Sequence, residues 1–234
     1  MFVVSNPLVE SLDRCLHNSR IKNFSKRNLK SKIGKIQTKS KSGCSKNQCS
    51  LKVLNHNVQS LRNKKEELDI FVNEENNQFD VLAFTEHWLN KYEIDLYHLN
   101  EYKLISCFCR SLNRNGGSRI FVKNNNSEGC RERSDLSNFS KENCFELSAI
   151  EYRLTDNKHT IILCVYRPPS SDVWEFLKRL EEVLSKIRHD RQVIICGDFN
   201  IDFLKDTRSK QILLSLLQSH NLYVILLQIF LGPK

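Results

Sequence analysis

The 234 residues, 40% of them hydrophobic, suffice for one substantial core, and a single domain with an extension is the simplest organisation. The formal charge of +9 is unevenly placed: residues 1–50 carry 11 Lys and Arg against 2 Asp and Glu, so 36 less 11 leaves 25 basic and 27 less 2 leaves 25 acidic side chains for residues 51–234. No apolar run approaches a membrane span, which excludes an inserted protein, and "MFVVSNPLVESLDR" is too short and too soon polar for a signal peptide.

The chain divides at residue 50. Residues 1–50, with "NSRIKNFSKRNLKSKIGKIQTKSKSG" rich in Lys, Ser and Asn, show no sustained period and cannot bury enough apolar surface to offset their conformational entropy, so they are expected to lack order. Such a segment is either a solvated tail or a polyelectrolyte arm for the phosphate backbone of DNA, or of RNA. Nine cysteines (Cys15, Cys44, Cys49, Cys107, Cys109, Cys130, Cys144, Cys164 and Cys196) include no Cys-x-x-Cys pair, so a zinc ribbon or thioredoxin-type site is unsupported. Cys164 and Cys196 lie in apolar runs where a reduced thiol packs as a small hydrophobe, and a reducing intracellular compartment fits best.

Residues 51–234 read as the folded domain. "LKVLNHNV" predicts a strand, and "SLRNKKEELDIFVNEEN" an amphipathic helix with Leu61, Leu68 and Val72 inward and Ser60 as its N-cap. "FDVLAFTEHWL" predicts a buried strand over Val81–Phe84 ending at Glu86. Further strands follow at Tyr102–Phe108, Arg119–Val122, "CFELSAIEYRL" and "HTIILCVYRPP", with Gly116-Gly117 and polar loops between them. Asp172 caps a helix reaching about Arg188, with Trp174, Leu177, Leu180 and Leu184 as its inner stripe. "QVIICGDFN" is a last buried strand before a helix from about Thr207 to His220. Strands that alternate with helices, beside others joined as hairpins, imply α/β or α+β with mixed sheets, two sheets face to face and helices outside.

Polar groups recur where these strands end: Asn55 and Asn57, then Glu86, Tyr166, and Asp198 with Asn200. Gly-Asp after a strand is ordinary turn punctuation, and on "QVIICGDFN" alone a turn is a better reading than a site. Taken together, a carboxylate for a hard cation, a second to orient water, and amides and a phenol for phosphate oxygens make a kit for metal-assisted phosphodiester hydrolysis, with an oxygen-only ligand set that suits Mg²⁺.

"LNHNVQSLRNK", "DVLAFTEHWL", "GGSRIFVKN", "FELSAIEY", "VYRPPSSD" and "VIICGDFNIDFLKD", in this order over about residues 51–222, resemble the endonuclease/exonuclease/phosphatase superfamily. More closely, they are similar to the apurinic-endonuclease-like domain of Jockey-type non-LTR retrotransposons. The resemblance implies a four-layered α/β sandwich and Mg²⁺-dependent nicking of DNA, with Mn²⁺ as a substitute ion, leaving a 3′-hydroxyl that primes reverse transcription. It implies that Glu86 binds the metal, Asn55 and Asn57 form the polar pair of the first strand, Tyr166 contacts phosphate, Asp198 activates or orients water, and Asn200 supports the phosphate. A nuclear location follows if the protein is functional.

The family's pattern continues past the last helix into a strand pair bearing an Asp-His unit, whereas this chain stops at Lys234; His220 lies on the preceding helix and is not that histidine. The final strands are therefore expected to be missing, neighbouring sheet edges to be unpaired, and cleavage to be impaired, since losing a charge-stabilising group costs on the order of 10²–10³ in rate. "NGGSRIFVKN" is also one residue shorter than the family's glycine-rich run, a slip that a bulge could absorb. Two further functions stand beside nicking: a noncatalytic nucleic-acid-binding remnant, and a phosphodiesterase or phosphatase acting on a phospholipid or inositol-phosphate ester.

Overall fold

The computed structural model describes residues 2–5, 34–39, 50–74, 78–111, 115–155 and 158–225. In chain order the strands begin with β1 (Phe2–Ser5), β2 (Gly34–Lys39) and β3 (Ser50–Asn57); α1 (Leu61–Asn73) leads to β4 (Val81–Thr85). Then come β5 (Tyr102–Phe108), β6 (Ser118–Lys123), β7 (Cys130–Glu132), the one-turn α2 (Ser134–Ser137) and the hairpin of β8 (Glu146–Thr155) with β9 (Lys158–Tyr166). Helix α3 (Val173–Lys186), β10 (Gln192–Asp198), α4 (Arg208–Ser219) and β11 (Leu222–Ile225) complete the described residues.

Two mixed sheets result, in the orders β11-β1-β10-β9-β8-β7 and β2-β3-β4-β6-β5. Each contains one parallel pair joined by a helix: β3 with β4 through α1, and β9 with β10 through α3. Three apolar layers hold the stack. Val53, Val81, Ala83, Ile120, Ile162, Cys164, Ile194 and Cys196 lie between the sheets. Helices α3 and α4 cover the outer face of the larger sheet with Phe176, Leu180, Val183, Leu213 and Leu217, and α1 covers the smaller one with Leu61, Leu68 and Val72. Side chains alternate faces along each strand, so a strand covered on both sides must be apolar at every position, as Val81–Phe84 is. The sandwich of two packed sheets with helices outside, expected from the order of elements, is the fold observed. No helix among the described residues is long and apolar enough to cross a membrane.

Three local expectations need correction. Ser60 sits at the start of α1 with φ 87° and makes no side-chain cap; its backbone N–H donates to the Glu86 carbonyl at 2.9 Å instead. Asp172 does cap α3, accepting from Trp174 N at 2.7 Å and Glu175 N at 2.9 Å, but Trp174 lies outside the buried stripe, where Arg208 stacks on its ring. Two segments of the basic extension are ordered strands: Phe2–Ser5 lies between β10 and β11, antiparallel to both, and Gly34–Lys39 pairs with β3. The rest of that extension, 6–33 and 40–49, lies outside the described residues. Strand β2 thus pairs with β3 and β1 with β10, while residues 226–234 of the apolar tail lie outside the described residues. Register shifts by one residue between Leu104 and Ser106 of β5, opposite the glycine-rich run into β6.

Candidate active site

The site is the polar end of the inter-sheet core. Followed by twos, β3 reads Leu51, Val53, Asn55, Asn57; β10 reads Ile194, Cys196, Asp198; β9 reads Ile162, Cys164, Tyr166. Each column faces the other sheet, and each turns polar at the carboxyl end of a parallel pair, which is where open α/β sheets present ligand-binding groups. Asp198 stands beside Tyr166 in the β9–β10 register, and Asn57 beside Thr85, the residue before Glu86.

Asn57 joins the two sheets. Its Nδ2 donates to Glu86 Oε1 at 2.7 Å and to Asp198 Oδ2 at 3.0 Å, so one amide holds two carboxylates from different sheets, and all three residues are half-buried. Among the described residues its buried Oδ1 has no hydrogen-bond partner. The Tyr166 hydroxyl hydrogen-bonds Glu86; burial first, then that carboxylate, pushes the phenol well above its ordinary range and keeps it a donor through neutral pH. Asn200 caps the same corner from outside: its backbone N–H donates to Asp198 Oδ1 at 3.1 Å and its Nδ2 to the Arg167 carbonyl at 2.6 Å. Asn55 is the member set apart. It is buried, its Nδ2 reaches the Gly197 carbonyl at 3.3 Å, and its place is deeper between the sheets.

The backbone around these groups is held against its own preferences. Glu86 has φ 56° and Asn200 φ 49°, left-handed values uncommon outside glycine. Glu86 is gripped on both sides, its N–H donating to Gly117 O at 2.9 Å while its carbonyl accepts from Ser60 N. Gly197 has φ 139°, and a Cβ there would collide with the Val165 backbone carbonyl, so glycine is required where β10 presses on β9.

A model for endonuclease-reverse transcriptases matches residues 160–229, from β9 past β11. Together with the fold, it supports the endonuclease/exonuclease/phosphatase superfamily. Among solved structures, the AP endonuclease LMAP of Leishmania major superposes with a TM-score of 0.53 at 18% identity, over 73% of this chain and 65% of that one. The chain thus spans about two thirds of that enzyme's length. A mannosyl-6-phosphatase of Bacteroides thetaiotaomicron (TM-score 0.49, 15% identity, 70% of each chain) and D. rerio TDP2, solved with a single strand DNA product (0.48, 14%, 69% of this chain and 64% of that one), are also similar. No curated protein matches in sequence.

For a superfamily site, the donor set here fits a hard divalent cation: Glu86 offers a half-buried carboxylate, Asp198 a second within two hydrogen bonds of it, and Asn57 Oδ1 an unpartnered buried acceptor. Three supporting residues carried no sequence signal of their own. Glu146, fully buried and opposite Tyr166 in the β8–β9 register, accepts from Arg110 Nε at 2.6 Å and Gly117 N at 2.6 Å; burial raises its carboxyl, and these donors oppose the shift. Arg110 lies 6.0 Å from the Tyr166 ring centroid. Arg167 is buried and donates to four carbonyls: Phe199 at 2.6 Å, Asn200 at 2.6 Å, Ser171 at 2.9 Å and Pro168 at 3.3 Å. It fastens the loop that carries Asn200. An arginine after "VY" and a glutamate inside a strand look like surface charge until the register places them beside Tyr166.

Proposed function

We propose that the chain is the endonuclease domain of a retrotransposon of the Jockey type, nicking target DNA by hydrolysis of a phosphodiester with Mg²⁺. The observation that carries this reading is the Glu86–Asn57–Asp198 bridge, in which groups from two sheets converge at the polar end of their common core. The family match to endonuclease-reverse transcriptases supports the nucleic-acid substrate class over a lipid ester. Glu86 would hold the ion, which when bound polarises a phosphoryl oxygen. Asp198, held through both carboxylate oxygens by Asn57 and Asn200 N–H, orients the attacking water. Tyr166 donates to a phosphate oxygen, and Asn200 supports the loop that faces it.

Slow nicking is part of the proposal. The test is conversion of supercoiled plasmid to open circle by the purified chain in Mg²⁺, beside EDTA and Asp198→Ala. Slow nicking lost in both controls supports the reading; nicking indifferent to both refutes it. Salt-dependent DNA binding without any cleavage, unchanged by EDTA, would instead establish a binding remnant that uses the basic residues before β3.

A further inference from the structure

A second cluster of reactive side chains lies where β5 leaves its sheet. Cys107 and Cys109, two residues apart and so on one face of the chain, place their sulfurs 3.5 Å from each other. Cys107 is half-buried and Cys109 is buried. Directly opposite Cys107 in the β5–β6 register stands Arg119, which is completely buried. Its Nη2 donates to the Ile94 carbonyl at 3.2 Å and its plane lies 5.0 Å from the Phe121 ring centroid, while Nε and Nη1 have no hydrogen-bond partner. Among the described residues no carboxylate pairs with it; Asp95 acts only through space. Burying a guanidinium without a counter-charge costs several kcal/mol, roughly. The two thiols are the groups in contact that can supply one.

His87 points the same way. Its Nδ1 accepts from Leu89 N–H at 3.0 Å, which puts the proton on Nε2, and that nitrogen lies 2.8 Å from the Phe108 carbonyl and 3.8 Å from Cys107 Sγ. The sulfurs are thus surrounded by donors, with Glu132 the opposing charge beside Cys107. The same tautomer argues against a zinc ion here: a ligating Nε2 must give up its proton, and Nδ1 would then need to donate where it now accepts.

We propose that Cys107 and Cys109 form an oxidisable dithiol, a modification site whose reduced form carries one negative charge that neutralises Arg119 and whose oxidant is a hydroperoxide. The thiolate sulfur attacks the peroxide oxygen, the O–O bond breaks, and a sulfenic acid forms as hydroxide or alkoxide leaves and takes a proton. The neighbouring thiol then displaces water from the sulfenic sulfur, closing the disulfide, so two electrons pass from the sulfurs to the peroxide. The two thiols divide as this requires: hydrogen bonding from Cys107, then from His87, with the charge of Arg119 nearby, draws Cys109 down, while the same shared bond and burial push Cys107 well up. Closure needs the sulfurs to approach from 3.5 Å to about 2.05 Å.

The experiment treats the freshly reduced full chain with one equivalent of hydrogen peroxide, alkylates it after unfolding, and maps the peptides by mass. A Cys107–Cys109 peptide two hydrogens lighter is expected, with Cys164 and Cys196 still alkylated; Cys107→Ser should stop at a Cys109 sulfenic acid trapped by dimedone. In the native protein, alkylation of Cys109 should vary less than about threefold between pH 6 and 8, where an ordinary thiol gains about tenfold per unit. Arg119→Lys should keep that flat profile and Arg119→Leu should restore the ordinary slope; if the leucine variant does not fold, the wild-type profile and the peptide map decide. No disulfide at one equivalent, an ordinary pH slope in the wild type, or one zinc ion retained per reduced chain would each overturn the proposal.

Discussion

Asn57→Ala removes the amide that holds Glu86 and Asp198 together, and its effect can be worked from two distances. Hydrogen bonds to charged groups contribute about 1.5–3 kcal/mol each, and the two here, at 2.7 and 3.0 Å, sit in a half-exposed site, so the low end applies. Without the amide, two carboxylates face each other no farther apart than those two bonds laid end to end, which adds about 1 kcal/mol of repulsion at solvent-screened dielectric. The expected loss in metal-free buffer is about 3–4 kcal/mol, read by urea unfolding with fluorescence of Trp88 and Trp174, the former two residues from Glu86. Magnesium at ten times its Kd should return about 1.4 kcal/mol to both proteins, because Glu86 remains in both. A loss under about 0.5 kcal/mol would refute the bridge as a structural tie. Magnesium without effect on either protein would refute the pair as a cation site.

Four other outcomes are expected. His56 is buried, and burial, then Lys64, pushes its pKa down to about 4 from the ordinary 6.5. A depressed histidine leaves stability intact above pH 6.5 and drains it as pH falls towards 4, by about 3 kcal/mol at 1.36 kcal/mol per unit; His56→Phe should flatten the urea midpoint across that window. Arg167→Lys cannot reach four carbonyls at once and should cost about 2–4 kcal/mol, with plasmid nicking reduced on the order of tenfold or more as the Asn200 loop loosens. Gly197→Ala meets both a φ of 139° and the Val165 carbonyl, and should lower stability by about 3 kcal/mol or more, measured by thermal unfolding of whatever soluble protein remains. Deleting residues 1–5 removes Phe2, Val3 and Val4, each at most 1% exposed. At about 1.5–3 kcal/mol per side chain the loss is about 5 kcal/mol or more, with the freed β10 edge aggregating by light scattering.

Strand ends were legible because a single rule governs them: a buried strand is apolar until the residue where its column leaves the core. That rule picks out Asn57, Glu86, Tyr166 and Asp198, and the structure brings these four into one hydrogen-bonded group. It could not separate Asn55 from Asn57, since both continue the same column and only the depth of the opposing sheet at Gly197 distinguishes them. Cross-chain partners were illegible for a different reason. Glu146 and Arg110 are 36 residues apart and meet because β8 lies beside β9 while the turn through Gly117 reaches over. His87 and Cys107 are likewise joined by strand register alone. Trp174 departs from the stripe because a spacing of i, i+3 does not by itself reveal which side chains the sheet covers; the indole is exposed, with Arg208 over its ring.

The ordered start of the chain bears on the site more than its composition suggested. Phe2–Val4 read as three apolar residues in a polar, basic segment, too few to signal a strand, yet they fit between β10 and β11 with Phe2 opposite Cys196 and Val3 opposite Ile195. Strand β10 is the one that delivers Asp198, and its two neighbours decide how rigidly it does so. On one side β9 is a parallel partner along its whole length, ending at the Asp198–Tyr166 pair; on the other, β1 supplies the hydrogen bonds that would otherwise be left to solvent. A carboxylate that must stay within hydrogen-bond reach of Asn57 across two sheets needs its strand fixed from both edges. Strand β1 therefore supports the position of Asp198 although its register on β10 ends at Cys196, and a variant lacking residues 1–5 that still folded should lose nicking before it lost DNA binding.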